Sequence, residues 1–178
     1  MARYACHKLY QNITYLAGAI EHANNQCRQW RKRFTQLVQA RKLGLVILDP
    51  TNKPRILGYN DDHQEYLRLR KKQNYDEITN FMKAIIRSDL RMVDKSNFLT
   101  VFYDPKVPTV GTIHEIVIAS IQRKPILLIV PGGKAECPGW LLGLVKHFEI
   151  FPSVEDCVEY LICVDNGMIQ CDDRWVFI

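Results

Sequence analysis

Short apolar runs alternate along this chain with longer stretches whose apolar positions recur three or four residues apart. Ile13-Thr14-Tyr15-Leu16-Ala17 is the first run, closed by Gly18, and Leu45-Val46-Ile47-Leu48 is the second, stopped by Asp49-Pro50. Phe98 to Tyr103, Pro125 to Val130 and Phe148 to Phe151 complete the set. Their β-branched, aliphatic and aromatic content between turn-forming residues predicts five strands. Between the runs, 21–40 places Trp30, Phe34, Leu37 and Val38 at helical spacing. Residues 61 to about 95 are helical in pattern, with a break near Gln73-Asn74-Tyr75. Gly111-Thr112 opens a further helix, Trp140 to His147 is a short one, and Ser153-x-x-Asp156 caps a last helix reaching Cys163. Residues 52–60, with Pro54 and Gly58, and 132–139 read as loops. Strands alternating with helices predict an α/β fold: a three-layer, flavodoxin-like or Rossmann-like domain with a five-stranded parallel sheet and right-handed crossovers.

At 178 residues the chain suits one domain with a real core, spanning 1–178. Residues 52–75 form a charged insertion, and 164–178 an apolar C-terminal tail. With Trp175, Val176 and Phe177, that tail is too apolar for water and is expected to dock on its own domain or on a neighbouring subunit. The six cysteines include no C-x-x-C pair, so the spacing carries no zinc signature and reduced thiols are expected. The N-terminus lacks the apolar run of a signal peptide, and no stretch approaches transmembrane length, so a cytoplasmic protein without a membrane partner is expected. The net charge of +5 is mild. Its basic clusters, Arg28 to Arg33 and Arg68 to Lys72, lie in helical patterns and, Trp30 apart, lack interleaved aromatics, so nucleic acid is not an expected partner.

Candidate chemistry gathers at the strand ends, because the loops after parallel strands converge on one edge of the sheet. Those loops contain Gly18-Ala19-Ile20-Glu21, Asp49-Pro50, Asp104 to Glu115 and Pro131 to Trp140. Glu115 is the first residue to suspect, a carboxylate expected in the first turn of an otherwise apolar helix. There the backbone N–H groups would keep it ionised, an effect worth roughly 0.3–1 kcal/mol. A structural role, satisfying those same N–H groups, is the competing reading. No G-x-G-x-x-G or Walker lysine motif follows the first strand, and no His, Cys and carboxylate cluster has ligand spacing. No cofactor and no metal are therefore expected. Carboxylates, hydroxyls and a tyrosine suit substitution at a sugar carbon, where one carboxylate attacks and a protonated group assists departure.

The same segments, in the same order over about residues 13–150, resemble the nucleoside 2-deoxyribosyltransferase superfamily. The resemblance is carried by Tyr15-Leu16-Ala17-Gly18-Ala19-Ile20, Trp30-Arg31, Leu48-Asp49-Pro50 and Ser88-Asp89-Leu90. It continues through Val93-Asp94-Lys95-Ser96-Asn97, Gly111-Thr112-Ile113-His114-Glu115-Ile116 and Lys124-Pro125. It implies a nucleophilic Glu115 that forms a glycosyl ester with C1′, an Asp89 that protonates the departing base, and a Tyr15 that orients the nucleophile. Gly18, Ala19, Ile20, Asp49, Thr109, Gly111 and Trp140 are the residues expected to bind the substrate, a small nucleoside or nucleotide. The resemblance also implies a homo-oligomer.

Two departures pull apart. Thr109 stands where the transferases carry an acid and their nucleotide-cleaving relatives a hydroxyl, which favours a 5′-monophosphate. Ala19 replaces a serine of those hydrolases, and Glu21 would repel phosphate, which favours a nucleoside. A 5′-monophosphate N-glycosidase, a catalytically silent nucleotide-binding relative and an NAD-cleaving enzyme are the alternatives. Asp94 rivals Asp89 as the acid, or caps the turn into the third strand. His114 is expected to point away from Glu115, Trp140 either plugs the core or stacks on a base, and Tyr15 can be read as a plain sheet tyrosine. Cys137 has no basic neighbour that would make it reactive.

Overall fold

The computed structural model describes residues 7–20, 26–52 and 62–177. Glu21 and most of the 52–60 loop, including Pro54 and Gly58, lie outside the described residues. Five strands form one all-parallel sheet: β1 (Ile13–Gly18), β2 (Val46–Leu48), β3 (Phe98–Phe102), β4 (Ile126–Ile129) and β5 (Ile150–Phe151). Among the described residues six α-helices accompany them: α1 (Gln26–Ala40), α2 (Asp62–Lys71), α3 (Tyr75–Lys95), α4 (Val110–Ile121), α5 (Gly139–Leu144) and α6 (Val154–Asp165). The expected break near residue 73 is the turn between α2 and α3, where Gln73 takes a positive φ of 53° and the Asn74 side chain accepts from the Glu77 N–H. Ser153 caps α6 as its spacing implied, accepting from the Asp156 N–H at 3.1 Å.

The strand order is β2-β1-β3-β4-β5. The chain leaves β1 for one edge, then returns past it to build the other side, so the direction reverses between β1 and β3. Right-handed crossovers in opposite directions put their helices on opposite faces of a sheet. One face accordingly packs Leu16, Phe98, Leu127 and Ile129 against Trp30, Phe34 and Val38 of α1 and Val158 and Leu161 of α6. The other packs Tyr15, Ala17, Leu99, Val101 and Leu128 against Val93 of α3, Ile116 and Ala119 of α4 and Leu141 of α5. The alternation of Tyr15 and Ala17 against Leu16 along β1 is the pleat sorting side chains between the two layers.

The C-terminal tail docks on its own chain. The Trp175 ring, 8% exposed, lies 5.2 Å from Phe98 and 5.9 Å from Phe177, centroid to centroid. Arg174 anchors the segment through a two-pronged pair with the fully buried Glu149, at 3.0 and 2.7 Å. The same guanidinium bonds Asp172, which also accepts from Lys146 at 2.6 Å. Burial pushes the Asp172 carboxyl up, but the hydrogen bonds from Arg174 and Lys146 overcome this and hold it well below the ordinary carboxylate range. Burial dominates at Glu149 and raises its carboxyl, with Arg174 opposing.

Of the basic cluster on α1, Arg31 is buried and Arg33 forms an exposed pair with Glu155 of α6 at 2.7 Å. Just past the helix, Arg41 makes a second exposed pair with Glu159 of α6 at 2.8 Å. Among the described residues no helix is long and apolar enough to cross a membrane, and no group of three His, Cys, Asp or Glu side chains could hold a metal ion. The described cysteines, Cys137, Cys157, Cys163 and Cys171, are free thiols.

Candidate active site

Ligands of open parallel sheets bind outside the carboxyl ends of the strands at the point where strand order reverses. That point lies here between β1 and β3, where Gly18 pairs with Phe102. Tyr15 projects from β1 towards α4, and its hydroxyl donates to Glu115 Oε1 at 2.6 Å. Both side chains are buried, Tyr15 to 1% exposure and Glu115 to 8%. Glu115 takes this position because α4 buries Thr112, Glu115, Ile116 and Ala119, a stripe at spacings of three and four. An apolar residue would be expected at this point of the stripe.

Glu115 stands in the second turn of α4, and not in the first as expected from the sequence. The helix begins at Val110, and Thr109 is its N-cap, donating to Thr112 Oγ1 at 2.6 Å and accepting from the Thr112 N–H. Thr109 therefore does the capping that the structural reading assigned to Glu115. The helix dipole falls off within the first turn, and a partner that orients Glu115 is the Tyr15 phenol, which comes from a strand.

Burial raises the Tyr15 phenol well above its ordinary value of 10.0, and the charges of Glu115 and Asp89 push the same way. The Arg31 guanidinium opposes them. Tyr15 is thus a neutral donor to the carboxylate throughout the physiological range. Its raised value makes the neutral form's contribution to stability complete below the unfolded value of about 10, and that contribution is lost as pH rises through the folded value. Titration of phenolate absorbance checks this: the curves of wild type and Tyr15→Phe are expected to coincide through the range in which an ordinary tyrosine ionises. A missing phenolate in the variant within that range would contradict it.

Asp89, half-buried on α3, lies near enough for its charge to act on the Tyr15 phenol, so three elements bring Tyr15, Glu115 and Asp89 into one neighbourhood. Asp94 is placed elsewhere. It is exposed, accepts from Gln122 Nε2 at 2.6 Å and sits just before β3, towards the opposite edge of the sheet. His114 is exposed, as its spacing implied. Burial raises the Cys137 thiol, which leaves it a protonated core residue.

The remaining residues stand around this centre. Gly18 closes β1, Ala19 is half-buried, and Ile20 is 39% exposed. Asp49 follows β2 and accepts from the N–H and hydroxyl of Thr51, both at 2.8 Å. Gly111 is exposed in the first turn of α4 with no atom within 4 Å of where a Cβ would stand. Trp140 corrects one expectation, since it does not plug the core. It is 78% exposed at the start of α5, and Leu141 is the residue buried there.

One residue of this region is not among the candidates the sequence offers. Arg31, there only part of a motif, is 1% exposed and reaches the end of β1. Its signal was present: Arg31, Phe34 and Val38 share the spacing of the buried face of α1.

Together the fold and this centre define a parallel α/β protein with a tyrosine–carboxylate pair at the switch point of its sheet. No protein-family model matches the sequence, and no curated protein does. Among solved structures, the chain is similar to a 2-deoxyribosyltransferase from the psychrotolerant bacterium Bacillus psychrosaccharolyticus, at 14% identity and a TM-score of 0.49, over 75% of this chain and 82% of that one. It is also similar to a conserved protein from Enterococcus faecalis V583, at 14% identity and a TM-score of 0.49, over 87% of this chain and 88% of that one. Both are likenesses of architecture, and neither carries a reaction over to this chain.

Proposed function

We propose that this protein cleaves or transfers at the N-glycosidic bond of (deoxy)nucleosides through a covalent glycosyl-glutamate intermediate. The observation that carries the reading is the 2.6 Å bond from the buried Tyr15 hydroxyl to Glu115, at the edge of the sheet where such folds hold ligands. This carboxylate is buried in an otherwise apolar stripe of α4 and oriented by a neutral phenol, an arrangement suited to a nucleophile.

In the proposed reaction the Glu115 carboxylate attacks C1′ of the sugar and forms an ester as the C1′–N bond breaks. The electron pair of that bond goes to the base nitrogen, which Asp89 protonates. An acceptor base then takes the sugar in transfer, or water takes it in hydrolysis, and Glu115 is released. Tyr15 keeps its proton throughout and holds the carboxylate in line. Gly18, Ala19 and Ile20 wrap the sugar with Asp49 beside them, the open space over Gly111 admits it, and Trp140 stacks on the base. Thr109 meets the 5′ end. Its hydroxyl already serves Thr112, which favours a nucleoside over a 5′-monophosphate. Assembly into a homo-oligomer is part of the same proposal.

Chromatography of the protein with deoxynucleosides, their 5′-monophosphates and NAD, with and without an acceptor base, tests this directly. Base release or exchange is expected from at least one deoxynucleoside. Turnover confined to the monophosphates would transfer the reading to a nucleotide hydrolase, and turnover of NAD alone to an NAD-cleaving enzyme. No turnover of any member would end the enzymatic reading.

A further inference from the structure

The end of β1 that carries the site is gripped by α1 from the opposite face of the sheet. Arg31 is buried among Trp30, Phe34 and the strand ends, a costly position for a charge unless hydrogen bonds satisfy it. Its Nη2 donates to the Gly18 carbonyl at 2.9 Å and its Nε to the Leu16 carbonyl at 3.4 Å. The Nε also lies 3.5 Å from Asp49 Oδ1, in the turn after β2. The guanidinium rests on the Trp30 ring, 4.7 Å from its centroid, and that ring stacks on Phe102 of β3 at 5.5 Å. A Cβ on Gly18 would come within 3.0 Å of both the Trp30 ring and the Phe102 carbonyl, so the main chain is held close on this side. One planar fork thus joins the ends of β1 and β2. The carbonyls it holds flank Ala17, two residues beyond Tyr15.

An apolar side chain would fill this space at less cost in desolvation, but it could not bond two main-chain carbonyls where the strand ends. A lysine would carry the charge without the fork geometry that reaches both. We propose that Arg31 is a positioning residue of the site, whose guanidinium presets the main chain of residues 16–20 in the shape that receives the sugar. The proposal rests on the nucleoside-processing reading of the site for its ligand, and on the Arg31 contacts alone for its mechanical part. Arg31 also opposes the rise of the Tyr15 phenol, which places its charge within reach of the proposed catalytic pair.

Arg31→Lys and Arg31→Gln test it, with Trp30→Phe as a variant that keeps the buried charge and loosens only its support. Amide hydrogen exchange is read on peptides covering 13–20, with the β4 segment 126–129 as an internal reference. Exchange at 17–20 is expected to quicken roughly tenfold in both Arg31 variants, with the reference unchanged. KM for the best substrate of the nucleoside panel is expected to rise about tenfold in Arg31→Lys, with kcat within about threefold of wild type. Unchanged exchange at 17–20 in a folded Arg31 variant overturns the proposal. A lower melting temperature with KM and kcat intact also overturns it, because that is the signature of scaffolding alone. If both Arg31 variants fail to fold, Trp30→Phe decides: faster exchange confined to 17–20 upholds the proposal, and unchanged exchange there overturns it. A panel without turnover ends the nucleoside reading, and the exchange data still decide whether Arg31 presets this segment.

Discussion

Glu115→Gln is expected to lower kcat/KM for base release by at least about 10³-fold while the protein keeps its fold. The amide keeps the shape of the side chain and an oxygen to accept from Tyr15, so the 2.6 Å bond at the centre of the site has a replacement. What it loses is the charge and nucleophilicity that ester formation requires. Glu115→Ala removes the acceptor as well, leaving a phenol that is 1% exposed without its partner, at a further cost in stability of about 1–3 kcal/mol. Comparing the two separates chemistry from folding. Steady-state kinetics on the best panel substrate and thermal melts on both variants provide the measurement. Equal turnover by wild type and Glu115→Gln would remove Glu115 as nucleophile, whatever the fold of the relatives. Mass spectrometry of acid-quenched wild type would then show no sugar on the peptide containing Glu115.

Arg174→Ala is expected to destabilise the protein by about 3–5 kcal/mol, the cost of leaving a buried charge without its counter-ion. The charge in question is Glu149, fully buried and held by two hydrogen bonds from this one arginine. The same change frees the segment that places Trp175 on Phe98. Glu149→Leu with Arg174→Met replaces the pair by apolar groups and is expected to recover most of the loss. Urea denaturation of the two single variants and the double variant measures this. The pH dependence has a definite sign. Burial raises the folded Glu149 carboxyl, and removing Arg174 removes what opposes that rise. The penalty in Arg174→Ala is therefore full at neutral pH and shrinks as pH falls towards the range where Glu149 takes up a proton. A single variant as stable as wild type would show that the tail is held by Trp175 and its neighbours alone.

The two experiments probe opposite parts of the molecule. Glu115 lies at the carboxyl edge of the sheet, while the tail covers the α1 and α6 face near the start of β3. The tail thereby closes a core that the short β5 and α6 leave partly open. This docking buries Trp175 within its own chain, while Val176 stays 61% exposed.

Much of this architecture is readable along the chain because it depends on neighbours a few residues apart. Each strand reads as an apolar run, the turn at Gln73 to Tyr75 as a cluster of residues unsuited to a helix interior, and the α6 cap as a serine three residues before an aspartate. Two positions depart from that local logic. Gly111 suggests a helix start that would put Glu115 in the first turn, whereas Thr109 caps one residue before Val110. A large ring such as Trp140 suggests a core plug, because such rings seek burial. Whether a ring is buried depends on which face of a six-residue helix meets the sheet, and here Leu141 takes that face.

The sequence by itself determines the order of strands and helices, the parallel sheet and the inventory of groups at its carboxyl edge, because periodicity and capping act within one or two turns. It also supplies a resemblance that names candidate residues. The tertiary structure alone decides which of them meet. Tyr15 and Glu115 are 100 residues apart, and their bond exists because the reversal of strand order sets β1 beside β3 and lays α4 over both. The crossover through α1 carries Arg31 to the end of β1, and a turn of about 140° around α3 sets Asp94 on a different side from Asp89, two carboxylates that look alike on one helix. Spacing can mark a buried face, as it does for Arg31, but which groups become partners is a property of packing that no local pattern encodes.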